Sequence, residues 1–238
     1  MANSFFNFRQ FTVHQDKSAM KVCTDSCLFG AWMANQPDIP GETTMLDIGT
    51  GTGLLSLMMA QHHDNPILGI EIDEAAAIQA NQNVQLTPWK DRIRILNADV
   101  LQFQAVEKFG FIFSNPPFYE NSLTSAKLQK NIAHHDEGLT LKPLLEFISG
   151  NLNETGKASL LLPYSRLETF STLARDLGFN LLRLLKVKQT PEHDFFRVGI
   201  YFGKTAAMPT EIEEMHIKTV SGIYSDSFCG LLNDYYLW

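Results

Sequence analysis

From about residue 43 onward, short runs rich in β-branched and aromatic residues alternate with longer segments whose apolar positions recur at helical spacing. That alternation is the pattern of a parallel sheet covered by helices. Strands are expected near Thr44 to Ile48, Ile67 to Ile72, Ile93 to Leu96, Phe109 to Ser114, Ala158 to Leu162, Leu181 to Val187 and Arg197 to Phe202. Helices fit between them at Leu54 to Gln61, Glu74 to Leu86, Leu141 to Leu152 and Arg166 to Leu177, and Gly178 stands where a C-terminal cap is wanted. Only Gln189 to Asp194 separates the last two strand runs. With no room for a crossover helix they should pair as an antiparallel hairpin. The expected fold is therefore α/β, a seven-stranded, mostly parallel sheet with one antiparallel strand and helices on both faces.

The first 42 residues read as a small extension packed on a domain spanning 43–238. They hold an aromatic stretch (Phe5, Phe6, Phe8, Phe11), a polar turn and a helix from Asp25 to Asn35 capped by Thr24 or Asp25. The phenylalanines are expected in the core. Residues 119–138 read as a long loop, and loops of that length in compact domains are usually functional or mobile.

Composition narrows the class. Apolar residues make up 45 % and charged residues 19 %, an ordinary globular balance. No apolar run approaches the roughly 20 residues that span a bilayer, and the N-terminus lacks a secretory pattern. A cytosolic monomer without a membrane anchor is expected. Cys23, Cys27 and Cys229 lack the paired spacing of zinc sites, so they are expected as free thiols and no metal is called for. A net charge of −7 argues against a protein that coats nucleic acid indiscriminately. Between Lys157 and Lys204, however, eight basic residues face four acids, either a local nucleic-acid surface or a solvated face that happens to be basic.

The chemistry concentrates at four strand ends. Asp47-Ile48-Gly49-Thr50-Gly51-Thr52-Gly53 lies between a strand and a helix, where glycines let a ligand approach the backbone and helix N–H groups point into the site. The spacing Gly-x-Gly-x-Gly departs from the dinucleotide fingerprint. Glu71 ends the second strand, where a doubly wound fold places the carboxylate that holds ribose hydroxyls, with Asp73 as its competitor. Asp99 follows the third strand and offers a carboxylate to an adenine amine, although alone it reads as a loop or capping residue. After the fourth strand comes Asn115-Pro116-Pro117-Phe118. Two prolines fix an extended corner, leaving the Asn115 side-chain oxygen and the Pro116 carbonyl to accept the two hydrogens of a planar amine, with Phe118 to stack on its ring. That grip directs the nitrogen lone pair along the remaining axis and suits in-line methyl transfer. His134-His135-Asp136 reads as a loop segment before a metal site, and His62-His63 as a favourable charge at a helix end.

These residues resemble the Rossmann-like class I methyltransferases and, more narrowly, the bacterial tRNA1(Val) (adenine-N6)-methyltransferases acting on adenosine 37 beside the anticodon. The narrower likeness rests on Gln10-Phe11-x-Val13-x-Gln15-Asp16, Ala19-Met20-Lys21-Val22, Thr24-Asp25, Gly30-Ala31-Trp32, Pro88-Trp89, Ser114 to Phe118 and the ending Tyr224-Ser225 to Tyr235-Tyr236-Leu237. The resemblance implies S-adenosylmethionine as cofactor and tRNA as substrate. It implies that Lys21, Thr24 and Asp25 close the site around the cofactor's amino-acid end and that Gly49 to Gly53, after Asp47, cradle it. Glu71, with Ile72 beside it, would lie at the ribose, Asp99 at the adenine, and Asn115 would border both cofactor and substrate. Ala133-His134-His135-Asp136 is similar to an Ala-Arg-His-Glu stretch of relatives, from which His134 and Asp136 depart. Two alternatives share the planar amine: a protein glutamine-N5 methyltransferase, which would carry a helical domain before the glycine loop, and an N-methyltransferase acting on another RNA.

Overall fold

In the computed structural model, which describes residues 3–18, 20–117, 139–205 and 209–238, a short hairpin of β1 (Phe5–Asn7) and β2 (Thr12–His14) leads into α1 (Thr24–Ala34). The chain continues through β3 (Met45–Ile48), α2 (Leu54–His62), β4 (Ile67–Glu71), α3 (Glu74–Gln85), β5 (Ile93–Asn97) and β6 (Phe109–Ser114). Past residue 138 follow α4 (Leu141–Asn151), β7 (Leu152–Pro163), α5 (Leu167–Asp176), β8 (Asn180–Lys188), β9 (Phe195–Gly203), β10 (Glu211–His216) and α6 (Asp226–Leu232).

The sheet order is β10-β8-β9-β7-β6-β3-β4-β5. Neighbours are parallel except at β9, which runs opposite to both β7 and β8, so the hairpin turning at 189–194 forms as expected. The sheet has eight strands where seven were expected. The additional β10, Glu-Ile-Glu-Glu-Met-His, is an exposed edge strand parallel to β8, and its acidic residues hide the apolar alternation that marks buried strands.

Both faces of the sheet are covered, which explains the nearly continuous apolar strands. One face packs Phe111, Phe113 and Tyr201 against α1, α2 and α6, and the other packs Ile112, Leu160 and Phe202 against α4 and α5. Residues Ser26 to Ala34 of α1 are all buried, because the helix is sandwiched between sheet, α2, α6 and the chain's two ends. Close approach to α2 requires Gly30, whose added Cβ would lie 2.6 Å from the Met58 sulfur. Phe8 and Phe11 stack in the core as expected, whereas Phe5 is exposed. The tyrosine-rich ending is structural: Tyr235 donates its hydroxyl to the Met58 carbonyl (3.0 Å), and its own carbonyl accepts from the Arg9 amide.

Helix ends follow local rules, with one correction. Gly178 adopts φ +77° beyond α5, and the Phe179 and Gly178 amides return to the Ala174 and Arg175 carbonyls, a Schellman closure. At α1 the capping position is Cys23 and no side chain caps it, so neither Thr24 nor Asp25 has the expected role. Among the described residues the three cysteines are free, no cluster suits a metal ion, and no helix is long and apolar enough to cross a membrane.

Candidate active site

The strand order reverses between β3 and β6. The chain moves from β3 outward to β4 and β5, then lays β6 on the other side of β3 and continues to β7. Ile48 pairs with Ser114. The glycine loop leaving β3 and the Asn115-Pro116-Pro117 corner leaving β6 therefore start side by side at the carboxyl edge, where open α/β sheets bind ligands.

Gly49, Gly51 and Gly53 have φ of +69°, +57° and +83°, conformations in which a side chain is strained. A Cβ on Gly49 would meet nothing within 4 Å, and one on Gly51 only the Gly49 carbonyl at 3.9 Å, so the space over the loop is open to a ligand. Gly53 instead sits against α3, 3.6 Å from the Ala80 methyl. Asp47 faces inward. Its Oδ2 accepts from the hydroxyls of Thr50 (2.6 Å) and Ser56 (2.7 Å), tying the loop to α2, while its buried Oδ1 has no partner among the described residues. Burial pushes this carboxyl up to about 6 despite the two hydroxyl donors.

Glu71 leaves β4 toward the glycine loop, accepting the Gly51 amide at 2.8 Å and the Asp73 amide at 3.0 Å. Asp73 caps α3 through the Ala76 amide (2.8 Å). Ile72 is 65 % exposed, an uncovered apolar side chain at the strand end. Asp99 caps a 3-10 turn (Val100–Gln102) through the Leu101 amide (2.9 Å), and its other oxygen accepts from the Gln102 amide group. Asn97 donates to the Glu71 and Ile72 carbonyls and clamps the two strand ends together. An open glycine loop, an apolar platform, carboxylates on neighbouring strand ends and an orphaned buried oxygen at Asp47 fit S-adenosylmethionine, which joins a cationic amino acid to an adenosine.

Asn115 is held from α1. Its Nδ2 donates to the Ser26 hydroxyl at 2.8 Å, and among the described residues nothing bonds to its Oδ1. Ser26 is only 6 % exposed. Its amide donates to Asp25 Oδ1 (3.0 Å), and Asp25 Oδ2 accepts from Arg197 Nε of β9 (2.8 Å). A chain of contacts thus runs from β9 through the first turn of α1 to the carboxamide. Neither Ser26 nor Arg197 was legible as a site residue. Ser26 is one polar position in an apolar helix, and Arg197 is far away in sequence. Burial pushes the neighbouring Cys23 thiol up to about 11, with the Asp25 charge adding to the effect.

The other expected residues divide. Asp25 and Thr24 lie in the first turn of α1 beside Asn115's anchor, whereas Lys21 is exposed and its ammonium donates to the Asn3 carbonyl at 3.3 Å. Phe118, His134, His135 and Asp136 lie outside the described residues. His62 is held below its ordinary range by burial, opposing a gain from charge at the helix end. The N-terminal segment reaches the glycine loop through Asn83, whose Nδ2 donates to the His14 and Thr52 carbonyls, both at 2.9 Å. The basic stretch does not form one free face. Lys157 is buried on the Thr155 carbonyl, Arg183 and Lys186 pair with Glu211 and Glu214 of β10, and Lys204 donates to the Ser149 carbonyl.

Residues 21–144 match the family described as "Methyltransferase small domain". Among curated relatives, the tRNA1(Val) (adenine(37)-N6)-methyltransferase of Bacteroides thetaiotaomicron is 40 % identical over 100 % of this chain and 99 % of its own length. The protein of that name from Trichodesmium erythraeum is 35 % identical, with 100 % and 99 % covered. Solved structures share the fold at low identity. The methyltransferase subunit of a type I restriction-modification system from Streptococcus thermophilus aligns with a TM-score of 0.64 at 16 % identity, covering 92 % of this chain and 53 % of that one. A ribosomal protein L11 methylase from Lactobacillus delbrueckii aligns at 0.57 and 17 %, covering 82 % and 84 %.

Proposed function

Because the chain belongs to the tRNA1(Val) (adenine(37)-N6)-methyltransferase family, we propose that it transfers a methyl group from S-adenosylmethionine to N6 of adenosine 37 in tRNA1(Val). The observation that carries this reading onto the chain's own residues is the pairing of Ile48 with Ser114, which sets Asn115 beside the glycine loop.

The cofactor supplies a methyl group made electrophilic by its sulfonium. Gly49 and Gly51 leave room for it over the loop; Glu71, with Ile72 beside it, would hold the ribose hydroxyls, and Asp99 would accept from the adenine amine. Asp47 holds the loop on α2. Lys21, Thr24 and Asp25 close the amino-acid end, with Asp25 fixed by Arg197.

The target adenine must leave its stack to reach this edge. Its amine would donate one hydrogen to Asn115 Oδ1 and the other to the Pro116 carbonyl, a corner stiffened by Pro117, and Phe118, outside the described residues, is the ring that the motif offers for stacking. Gripping both hydrogens orients the nitrogen lone pair toward the cofactor crevice. The nitrogen lone pair would form the new bond to the methyl carbon as the carbon–sulfur bond breaks, its electron pair returning to sulfur to leave a neutral thioether. The amine would then release one proton to solvent and end neutral and monomethylated. Ser26 Oγ accepts from Asn115 Nδ2 and so holds the amide end of the carboxamide, leaving Oδ1 outward for the amine.

Labelled methyl transfer into total tRNA from cells lacking the enzyme tests the reading. N6-methyladenosine at position 37 of tRNA1(Val) is expected. Label in another nucleoside, or in protein alone, overturns it.

A further inference from the structure

Beyond the catalytic corner, the carboxyl edge carries an aromatic and cationic cluster that the reaction above leaves unused. Tyr164 opens the 3-10 turn Tyr164–Arg166 directly after β7, and Phe195 begins β9. Their ring centroids are 5.0 Å apart with planes tilted by 41°, and both are half-buried. Lys188 Nζ lies 4.5 Å above the Phe195 ring centre, and Lys186 Nζ lies 5.5 Å from Phe195 and 6.0 Å from Tyr164. Lys186 also has Glu214 at 3.9 Å, whereas among the described residues Lys188 has only the ring. Glu192 and Asp194 are exposed in the adjoining turn.

Position relates this cluster to the site. Ser114 pairs with Leu160, so Tyr164 lies three residues beyond the level of Asn115 on the next strand. At the usual strand rise and spacing that is about 10 Å away along the same edge. A flat ring within reach of two lysines is the combination that holds unpaired nucleotides, the ring stacking with a base and the ammonium groups meeting phosphates.

We propose that Phe195 and Tyr164 form a stacking platform for a nucleotide next to the flipped adenosine, with Lys188 swinging from the ring to that nucleotide's phosphate. This rests on RNA being the substrate. Lysine's long, flexible stem and its ring-only contact make it the mobile partner, and Lys186 stays as a second positive charge on its Glu214 tether. The platform places the RNA loop while Asn115 selects the amine, so the two tasks lie on separate strands.

The test measures binding of a fluorescent anticodon stem-loop RNA by anisotropy across salt concentrations, alongside the dissociation constant of S-adenosylmethionine. Phe195→Leu keeps apolar bulk and removes the π face; it should weaken RNA binding about 5-fold or more with little change in salt slope. Lys188→Ala should lower the slope of log affinity against log salt by about 0.7, the share of one phosphate contact to a single strand. Both variants should bind cofactor as wild type does. RNA affinities and slopes equal to wild type in both variants would overturn the platform while leaving the methylation reading intact. Failure of wild-type protein to bind the stem-loop would overturn both.

Discussion

Ser26→Ala isolates the device that orients the carboxamide. The hydroxyl accepts from Asn115 Nδ2 at 2.8 Å and is nearly buried, so no bulk water substitutes for it. A hydrogen bond of this kind contributes about 1 kcal/mol net. Its loss lets the carboxamide turn and present its amide group, instead of its oxygen, to the adenine amine. At roughly 1.4 kcal/mol per factor of ten, the methyl-transfer step should slow about 5-fold. Single-turnover methylation of tRNA at saturating cofactor gives the rate, and titration calorimetry gives the cofactor affinity, which should stay unchanged. A double-mutant cycle separates orientation from general loosening: in an Asn115→Ala background, Ser26→Ala should have no further effect on transfer. An unchanged single-turnover rate in Ser26→Ala, or full additivity in the cycle, would refute the orienting role.

Three other substitutions probe the cofactor side. Asp47 titrates near 6 in the fold against roughly 4 when unfolded, so the folded state keeps a proton that the unfolded chain sheds. Stability present below about pH 4 should therefore fall by a few kcal/mol as pH rises through about 6, and Asp47→Asn should flatten that fall in urea unfolding; parallel profiles for the two proteins would contradict it. Glu71→Ala should weaken S-adenosylmethionine binding by about tenfold or more, the value of a charge-assisted hydrogen bond, and an unchanged dissociation constant would take the ribose away from Glu71. Gly51→Ala forces a side chain to φ +57° with almost nothing to clash against, so backbone strain alone should lower unfolding stability by about 1–2 kcal/mol, read from the urea midpoint.

The sequence exposed the frame of the site because that frame is local. Glycine spacing after β3 and two prolines after β6 are short-range signals, and strand alternation with helical crossovers fixes which strand ends become neighbours. Glu71 and Asp73 are not separated by spacing, because what each carboxylate bonds depends on how the chain turns into α3: Glu71 accepts the Gly51 and Asp73 amides, and Asp73 the Ala76 amide. Ser26 and Arg197 stayed hidden because their roles arise from contacts across 89 and 172 positions of chain. The partners of the basic stretch stayed hidden for the same reason: Arg183 and Lys186 pair with Glu211 and Glu214 on an edge strand too polar to announce itself. Lys21 is placed at the site by resemblance alone, and in the fold its ammonium donates to the Asn3 carbonyl.

The most direct test of the two-acceptor corner is the single-turnover rate of Asn115→Ala, measured on tRNA together with its affinity for S-adenosylmethionine. Removing one preorganised group aimed at the reacting amine should cut the transfer rate roughly 100-fold or more while the cofactor still binds. Transfer at the wild-type rate by a variant lacking that oxygen would contradict it.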